Sequence, residues 1–336
     1  MDFQDIRYSV FGGVRKNLHL PYYINGLWMM AMPRSWTVRR REAILREFDR
    51  LTPQQQTHIQ QRVDYYNRLE EMTSLPAEAR PIGEQSYIHK DTASVYVFDT
   101  YEWNRYFPAH LKWVLGPGDV TNTFNVPTIT KSRPIEACKT NPNSVLINMD
   151  KVRHFMFFDD PVAFDKKQNQ VIFRGAITGK ANRMFLMDNF FNNPLIDIRD
   201  TAKDSTYPEE MRQHVETTIY GHLKYKYILS LEGNDVASNL KWIMNSNSIA
   251  VTPALRFETW FMEGSLKANE HYIEVKSDFS DVVERISYYN DHPNEARDIV
   301  NNAHEHCRQF FNKDMERLIS LMVMDKYFRL TGQAVR

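Results

Sequence analysis

The stretch from Lys224 to Pro253, KYKYILSLEGNDVASNLKWIMNSNSIAVTP, constrains the fold more than any other part of the chain. Tyr227, Ile228, Leu229 and Leu231 form a short apolar run, the pattern of a strand buried on both faces in a parallel sheet. Glu232, Gly233, Asn234 and Asp235 break it. Ser238 is placed to cap a helix whose apolar residues Leu240, Ile243 and Met244 fall at i, i+3 and i+4. Ser248 to Val251 returns to extended structure and Pro253 ends it. A loop that leaves a parallel strand and opens a helix presents free backbone N–H groups, which suits a phosphate. A nucleotide-type ligand is therefore the first expectation.

Composition narrows the classes. The chain has 336 residues, enough for two ordinary cores. Lys and Arg number 42, as do Asp and Glu, so the formal net charge is zero. Without a basic excess, no nucleic-acid partner is expected. Two cysteines far apart, Cys138 and Cys307, fit a reducing compartment better than a disulfide framework. The opening MDFQDIRYSV is not a signal peptide, and the apolar-leaning run Leu20 to Met32 is interrupted and too short to span a bilayer. A cytoplasmic location is expected.

Residues 1–90 read as mainly helical. Thr52-Pro53-Gln54-Gln55 is a helix start, with Thr as cap, Pro at the first helical position and Gln three after the cap; the helix is expected to reach about Glu71, and an earlier one spans Val38 to Arg50. From Ser94 onward, short apolar runs predict strands at Val95–Phe98, Val126–Ile129, Val145–Asn148, Val171–Phe173, Leu195–Ile198, Tyr227–Leu231, Ile249–Val251 and Tyr272–Val275. Interleaved helical stretches, such as Pro208–Tyr220, imply an α/β architecture in two halves divided at Asp159 to Gln170. Three amphipathic helices close the chain at 278–290, 293–311 and 313–330.

Several constellations could carry chemistry. Phe173-Arg174-Gly175 ends a strand and leads into a helix through Gly179 and Lys180. Arg174, Lys180 and Arg183 could together neutralise a diphosphate, with Gly175 and Gly179 allowing close backbone approach; the plain alternative is a loop with surface charges. The G-x-G-x-x-G and Walker patterns are absent, which disfavours dinucleotide and P-loop functions. Asp99, at the end of the predicted strand Val95–Phe98, faces the usual ligand crevice of an α/β fold and is a candidate general base. Asp119, after Gly116-Pro117-Gly118, and Asp150 are rivals, and a turn or cap role is the plain alternative for all three. Asp159-Asp160 reads as a turn rather than a metal site, and His304 and His306 are two apart, so they do not share a helix face. Arg34, Arg39, Arg40, Arg41, Arg46 and Arg50, near Trp28 and Trp36, suggest either contact with an anionic membrane surface or a solvated helix face paired with Glu42, Glu47 and Asp49.

These segments occur in an order that resembles glycosyltransferase family 90. The resemblance is carried by VIFRGAITGKANR at 171–183, KYKYILSLEGNDVASNLKWIMNSNSIAV at 224–251 and HYIEVKSDFSDVVERI at 271–286, with weaker matches at FDTYEWNRYFP and around Asp119. It implies a GT-B fold, two Rossmann-like domains facing a central cleft. With it go a helical N-terminal segment (1–90), an acceptor-side domain (91–165), a nucleotide-sugar domain (166–312) and a C-terminal helix (313–336). It implies a UDP-sugar donor, inversion at the anomeric carbon, and no required metal or other cofactor. It places Arg174, Gly175, Thr178 and Arg183 in a diphosphate-side loop and Gly233, Ala237, Ser238 and Lys241 on the nucleotide side; Asn239 and Glu258 join the donor-binding candidates. Asp99 falls at the general base, with Asp119 as the alternative. Asn239, Leu240 and Lys241 occupy a stretch where relatives tend to carry an Arg.

With two cysteines and no signal peptide, the chain resembles the bacterial branch of that family. The expected acceptor is a sugar of a lipid-linked lipopolysaccharide core, met at the cytosolic face of the inner membrane, where the basic front segment would touch the surface. A protein or capsule acceptor, or a catalytically inactive binding protein, are the alternatives.

Overall fold

The computed structural model describes residues 20–84, 94–214 and 217–335. Its strands, in chain order, are β1 (Arg80–Pro81), β2 (Lys112–Trp113), β3 (Leu115–Gly116), β4 (Thr128–Thr130), β5 (Ser132–Pro134), β6 (Ser144–Leu146), β7 (Gln168–Gly175), β8 (Ile196–Asp200), β9 (Tyr225–Leu229), β10 (Ile249–Thr252), β11 (Phe257–Thr259) and β12 (Ile273–Glu274). The architecture is α/β with two parallel sheets. The larger has the order β12-β10-β9-β7-β8, and the smaller is β3-β4-β6. Every pairing in both is parallel. Antiparallel pairs β1–β2 and β11–β5 complete the set.

The apolar runs of the larger sheet alternate between two cores, as the two-residue period of a strand requires. Val171, Phe173, Tyr227, Leu229, Ile249 and Val251 point to one face, where Leu186, Val282, Ile286 and Ile299 cover them. Ile172, Ile228 and Ala250 point to the other, into a core that continues to Ile129 and Val145 of the smaller sheet. The two sheets thus share one apolar interior. The helix Lys313–Leu330 reinforces it, burying Leu318, Leu321, Met324, Tyr327 and Phe328 in this core and packing along the helix Pro53–Tyr66. Burial on this scale contributes roughly 1.5–3 kcal/mol per large apolar side chain.

The helix Pro53–Tyr66 starts as its residues dictate. The Thr52 side chain accepts from Gln55 N and the Gln55 side chain accepts from Thr52 N. It stops five residues before the expected Glu71, because buried Asn67 takes up the Leu69 N–H and donates to Val323 O instead of continuing the helix. The helix expected at 38–50 is Arg34–Leu45 followed by a 3-10 turn, Phe48–Arg50. Of the expected helix 208–220, the described residues form only a 3-10 turn, Glu209–Met211, and one helical turn, Ile219–His222.

The run Val95–Phe98 is not a strand. It lies in the helix Ser94–Asn104, which buries Tyr96, Val97, Phe98, Asp99, Thr100, Tyr101, Trp103 and Asn104. A helix enclosed almost all round needs apolar residues at every position, and so imitates a buried strand in sequence. It packs against the helix Leu20–Ala31 so closely that a Cβ on Gly26 would sit 2.4 Å from the Phe98 ring.

Candidate active site

In chain order the strands of the larger sheet run 2-1-3-4-5, so the sheet reverses direction of winding between β7 and β9. In open parallel sheets the ligand crevice lies outside the carboxyl ends of the two strands at such a switch point. Here those ends release the loops 175–180 and 230–239.

The first loop is held from below. Asp200, at the end of β8, accepts hydrogen bonds from Ile177 N (2.8 Å), Thr178 Oγ1 (2.7 Å) and Ala202 N (2.9 Å). Burial alone pushes its carboxyl up, but these donors outweigh it and hold the group at about 2. Gly179 turns the loop with φ +78°, a conformation that favours glycine. Lys180 stands exposed beyond it.

The second loop is bound differently. Asn239 anchors its end, donating to Leu229 O and accepting from Ser230 Oγ, both at 3.0 Å. Between Gly233 and Asn239 no backbone N–H donates to a protein acceptor among the described residues. Gly233 is open, Ala237 is buried and Ser238 is half-buried. The helix that follows is Leu240–Met244, with Asn239 rather than Ser238 at its N-cap and no side-chain cap. At five residues it has little dipole, so any anion affinity of the loop rests on its free N–H groups.

Arg183 joins the two loops. Its guanidinium donates to Ala176 O (2.9 Å), Glu232 O (3.2 Å) and Leu231 O (3.3 Å), and lies over the Phe173 ring. These partners are neutral; among the described residues no carboxylate forms an ion pair with it, and burial draws its pKa down. Two of the other expected cations are paired with carboxylates. Arg174 makes a two-pronged pair with Asp197, both contacts at 2.8 Å, and donates to Gln213. Lys241 is fully buried against Glu263 at 2.5 Å. Glu258 is also fully buried, in a network with Arg133 (2.7 Å), Arg68 (3.1 Å) and the Tyr65 hydroxyl that fastens β5 and β11 to the helix Pro53–Tyr66.

Asp99 does not stand at a strand edge. It sits inside the helix Ser94–Asn104, 1% exposed, accepting from the Tyr22 hydroxyl (2.9 Å) and Lys151 N (3.1 Å). Burial, against the pull of the Lys151 charge, pushes its carboxyl up to about 6. Asp119 follows the carboxyl end of parallel strand β3, where Gly118, at φ +91°, turns the chain. Its side chain is 36% exposed. One oxygen accepts from Lys131 Nζ at 2.6 Å and the other from Asn234 Nδ2 at 3.2 Å. Burial tends to raise its pKa, but the hydrogen bond and charge of Lys131 win, so it is ionised at neutral pH.

Asn234 belongs to the second loop, so Asp119 touches the loop across the crevice directly. Lys131, on the residue between β4 and β5, is 1% exposed and also meets Asp235 of that loop at 3.0 Å; Ser132 Oγ donates to the same Asp235 oxygen at 2.7 Å. Lys131 and Asp235 were not expected from the sequence, since a pairing across a hundred residues leaves no local signal. Nearby, Asp150 holds a left-handed backbone at φ 54°; its Oδ1 and both ring nitrogens of His154 are buried without a hydrogen bond, and His154 Nε2 lies 3.6 Å from Asp150 Oδ2. Burial, then the charges of Lys241 and Lys131, keep His154 neutral. Asp160 accepts from Lys167 Nζ (2.6 Å) and Asn247 N (2.9 Å), and His304 and His306 bond to Ser246 O and Phe261 O, each at 2.8 Å. Among the described residues no three His, Cys, Asp or Glu side chains gather as a metal site would need.

The loop 230–239 thus meets both the Asp119 carboxylate, through Asn234, and the Arg183 guanidinium, through the carbonyls of Leu231 and Glu232. The model of glycosyl transferase family 90 matches residues 147–334. The chain is 36% identical over 311 residues to the O-glucosyltransferase LpsA of Dichelobacter nodosus, covering 93% of this chain and 95% of that one. It is also 26% identical over 143 residues to Protein O-glucosyltransferase 2 of Danio rerio, covering 41% of this chain and 28% of that one. The chain belongs to glycosyl transferase family 90, and is a glycosyltransferase. The family match begins after both Asp99 and Asp119.

Proposed function

We propose that the protein transfers glucose from UDP-glucose, with inversion and without a metal, to a sugar hydroxyl of a lipid-linked lipopolysaccharide core, in a GT-B arrangement with the crevice between its two sheets. Glucose is favoured because both named relatives are glucosyltransferases. A bacterial core acceptor is favoured because the bacterial relative matches almost end to end, whereas the fish protein O-glucosyltransferase matches over a minority of its length.

The observation that carries the reading is the contact between Asp119 and Asn234, which brings a carboxylate of one half against the free N–H loop of the other. In the proposed reaction the Asp119 carboxylate takes the proton of the acceptor hydroxyl. The acceptor oxygen bonds to the anomeric carbon as the bond from that carbon to the UDP oxygen breaks. A single displacement inverts the centre. The negative charge arriving on the diphosphate is met by Arg183, Lys180 and the N–H groups of residues 233–239. Arg174, Lys241 and Glu258 act indirectly by holding the strands and loops that carry those groups. The buried Asp150 Oδ1 and His154 Nδ1, which have no hydrogen-bond partner in the protein, are suited to an enclosed water.

The test is incubation with labelled UDP-glucose and UDP-galactose, offering truncated core oligosaccharide or candidate proteins as acceptor. Label from UDP-glucose in the core, with β-linkage by NMR, is the expected result. Transfer only to protein, only from UDP-galactose, or with an α-linkage contradicts the proposal at the corresponding point.

A further inference from the structure

The helix Leu20–Ala31 carries apolar residues on two opposite faces. One face packs inward: Gly26 against Phe98, Met29 buried, and the Tyr22 hydroxyl donating to Val95 O and Asp99. The other holds Leu20, Ile24, Leu27, Trp28 and Ala31, at i, i+4, i+7, i+8 and i+11, and the first four are each more than half exposed. Met30 and Trp36 extend the exposed apolar surface onto the next helix, Arg34–Leu45. Soluble proteins seldom leave so continuous an apolar stripe open to water.

Charge decides what covers it. Residues 20–38 contain no carboxylate. Arg39 and Arg40, three and four positions after Trp36 and so on its side of the helix, are exposed, as is Arg50, whereas exposed Arg46 pairs with Glu42 at 3.3 Å. Arg34 and Arg41 are turned inward, donating to Asn104 O and Phe107 O and to Val335 O. A chain of zero net charge thus places arginines beside the exposed apolar stripe of this helix. A twelve-residue helix is about 18 Å long, too short to cross a hydrocarbon core of about 30 Å, and no helix among the described residues is long and apolar enough to do so. Apolar residues at the acyl boundary, tryptophans at the headgroups and arginines on lipid phosphates are the pattern of a helix lying in a membrane interface. A second copy docked here about a twofold axis would instead bring like charges together.

We infer that the helix Leu20–Ala31, with Trp36, Arg39 and Arg40, is a docking surface for an anionic lipid bilayer. This rests on the geometry of residues 20–50 and not on the identity of donor or acceptor. The contact Tyr22–Asp99–Lys151 ties the docking helix to the corner of the candidate site that holds Asp150. The surface would therefore set that corner's position relative to a membrane-borne acceptor.

The test is flotation of the full chain with phosphatidylcholine vesicles, with and without phosphatidylglycerol. The wild type should float only with the anionic vesicles, and less as salt rises. Leu27→Ser with Trp28→Ser, and separately Arg39→Glu with Arg40→Glu, should each lower the partition coefficient by about tenfold or more. Met72→Ser, which trims an exposed apolar side chain elsewhere, should leave it unchanged. Melting temperature and sedimentation of each variant accompany the assay. Failure to float with either vesicle, or flotation indifferent to both double substitutions, overturns the inference. So does a wild-type dimer that the Leu27 and Trp28 substitutions dissociate. Transfer of label to soluble core fragments should survive these substitutions, so loss of docking is distinguishable from failure of the enzymatic reading.

Discussion

The helix Ser94–Asn104 and the strand end at Leu115–Val120 each offer one aspartate, and the two differ in what surrounds it. Asp99 has its oxygens occupied by Tyr22 and Lys151, within a helix closed to solvent. Asp119 keeps part of its side chain open and faces a loop whose N–H groups lack protein acceptors. The same division separates Arg174 and Lys241, each satisfied by a carboxylate, from Arg183, which has only carbonyl partners. Both oxygens of Asp119 are engaged too, by Lys131 and Asn234, so what sets it apart from Asp99 is its partial exposure beside the loop 230–239. Residue type nominates a catalytic group, but access from solvent selects it.

Separate substitutions of the two aspartates should have very different effects. Asp119→Asn should lower kcat by roughly 10²–10⁴, the contribution of a positioned base, with little change in melting temperature. Asp99→Asn should keep kcat within a few-fold. Equal losses from both, or a larger loss from Asp99, would remove the distinction.

The second prediction concerns a charge assigned wholly to the fold. Glu258→Gln leaves Arg133 buried without its counter-ion, and both side chains are fully enclosed. Urea unfolding should show a loss of about 3–5 kcal/mol. Asp165→Asn, which breaks the exposed pair with Arg297, should cost less than about 1 kcal/mol. A mild effect at Glu258 would return it to the list of donor contacts.

A smaller effect follows from titration. His154 is neutral in the native protein because burial and nearby lysines lower its pKa, whereas the unfolded chain takes up a proton near the ordinary 6.5. The unfolded state then binds more protons, so stability falls as pH drops below that value, by about 1.4 kcal/mol per pH unit per proton. His306, lowered to about 4 mainly by burial, adds in the same direction. Asp99, raised to about 6 by burial, acts oppositely: its native form holds the extra proton between about 4 and 6, so it favours folding as pH falls through that window. His154→Leu should flatten the acid limb below pH 6.5, and Asp99→Asn should steepen it between 6 and 4. Denaturant midpoints measured from pH 7 to 4.5 check both signs.

The half built on the larger sheet was the more legible from sequence. The runs at Val171, Tyr227 and Ile249 are buried on both faces, so continuous apolar character identified β7, β9 and β10 and with them the switch-point loops. Local chemistry likewise marked the Thr52 cap and the helix Lys313–Leu330. The front half was harder, because Val95–Phe98 is apolar all round for a different reason, enclosure within a helix bundle. That misreading placed Asp99 at a strand edge. The Lys131–Asp235 and Glu258–Arg133 pairs were illegible because each joins residues more than a hundred positions apart, and only the folded arrangement decides whether Arg174 or Arg183 keeps its charge free.

In the proposed reaction the donor's diphosphate lies between loops 175–180 and 233–239, on Arg183. Calorimetric titration of UDP into the wild type, Arg183→Ala and Asp119→Asn tests it without requiring the acceptor. Removing Arg183 should weaken UDP about tenfold or more, at least 1.4 kcal/mol, while Asp119→Asn should bind UDP within about twofold of the wild type, since a base for the acceptor makes no diphosphate contact. Wild-type affinity in a folded Arg183→Ala protein would contradict the placement of the donor.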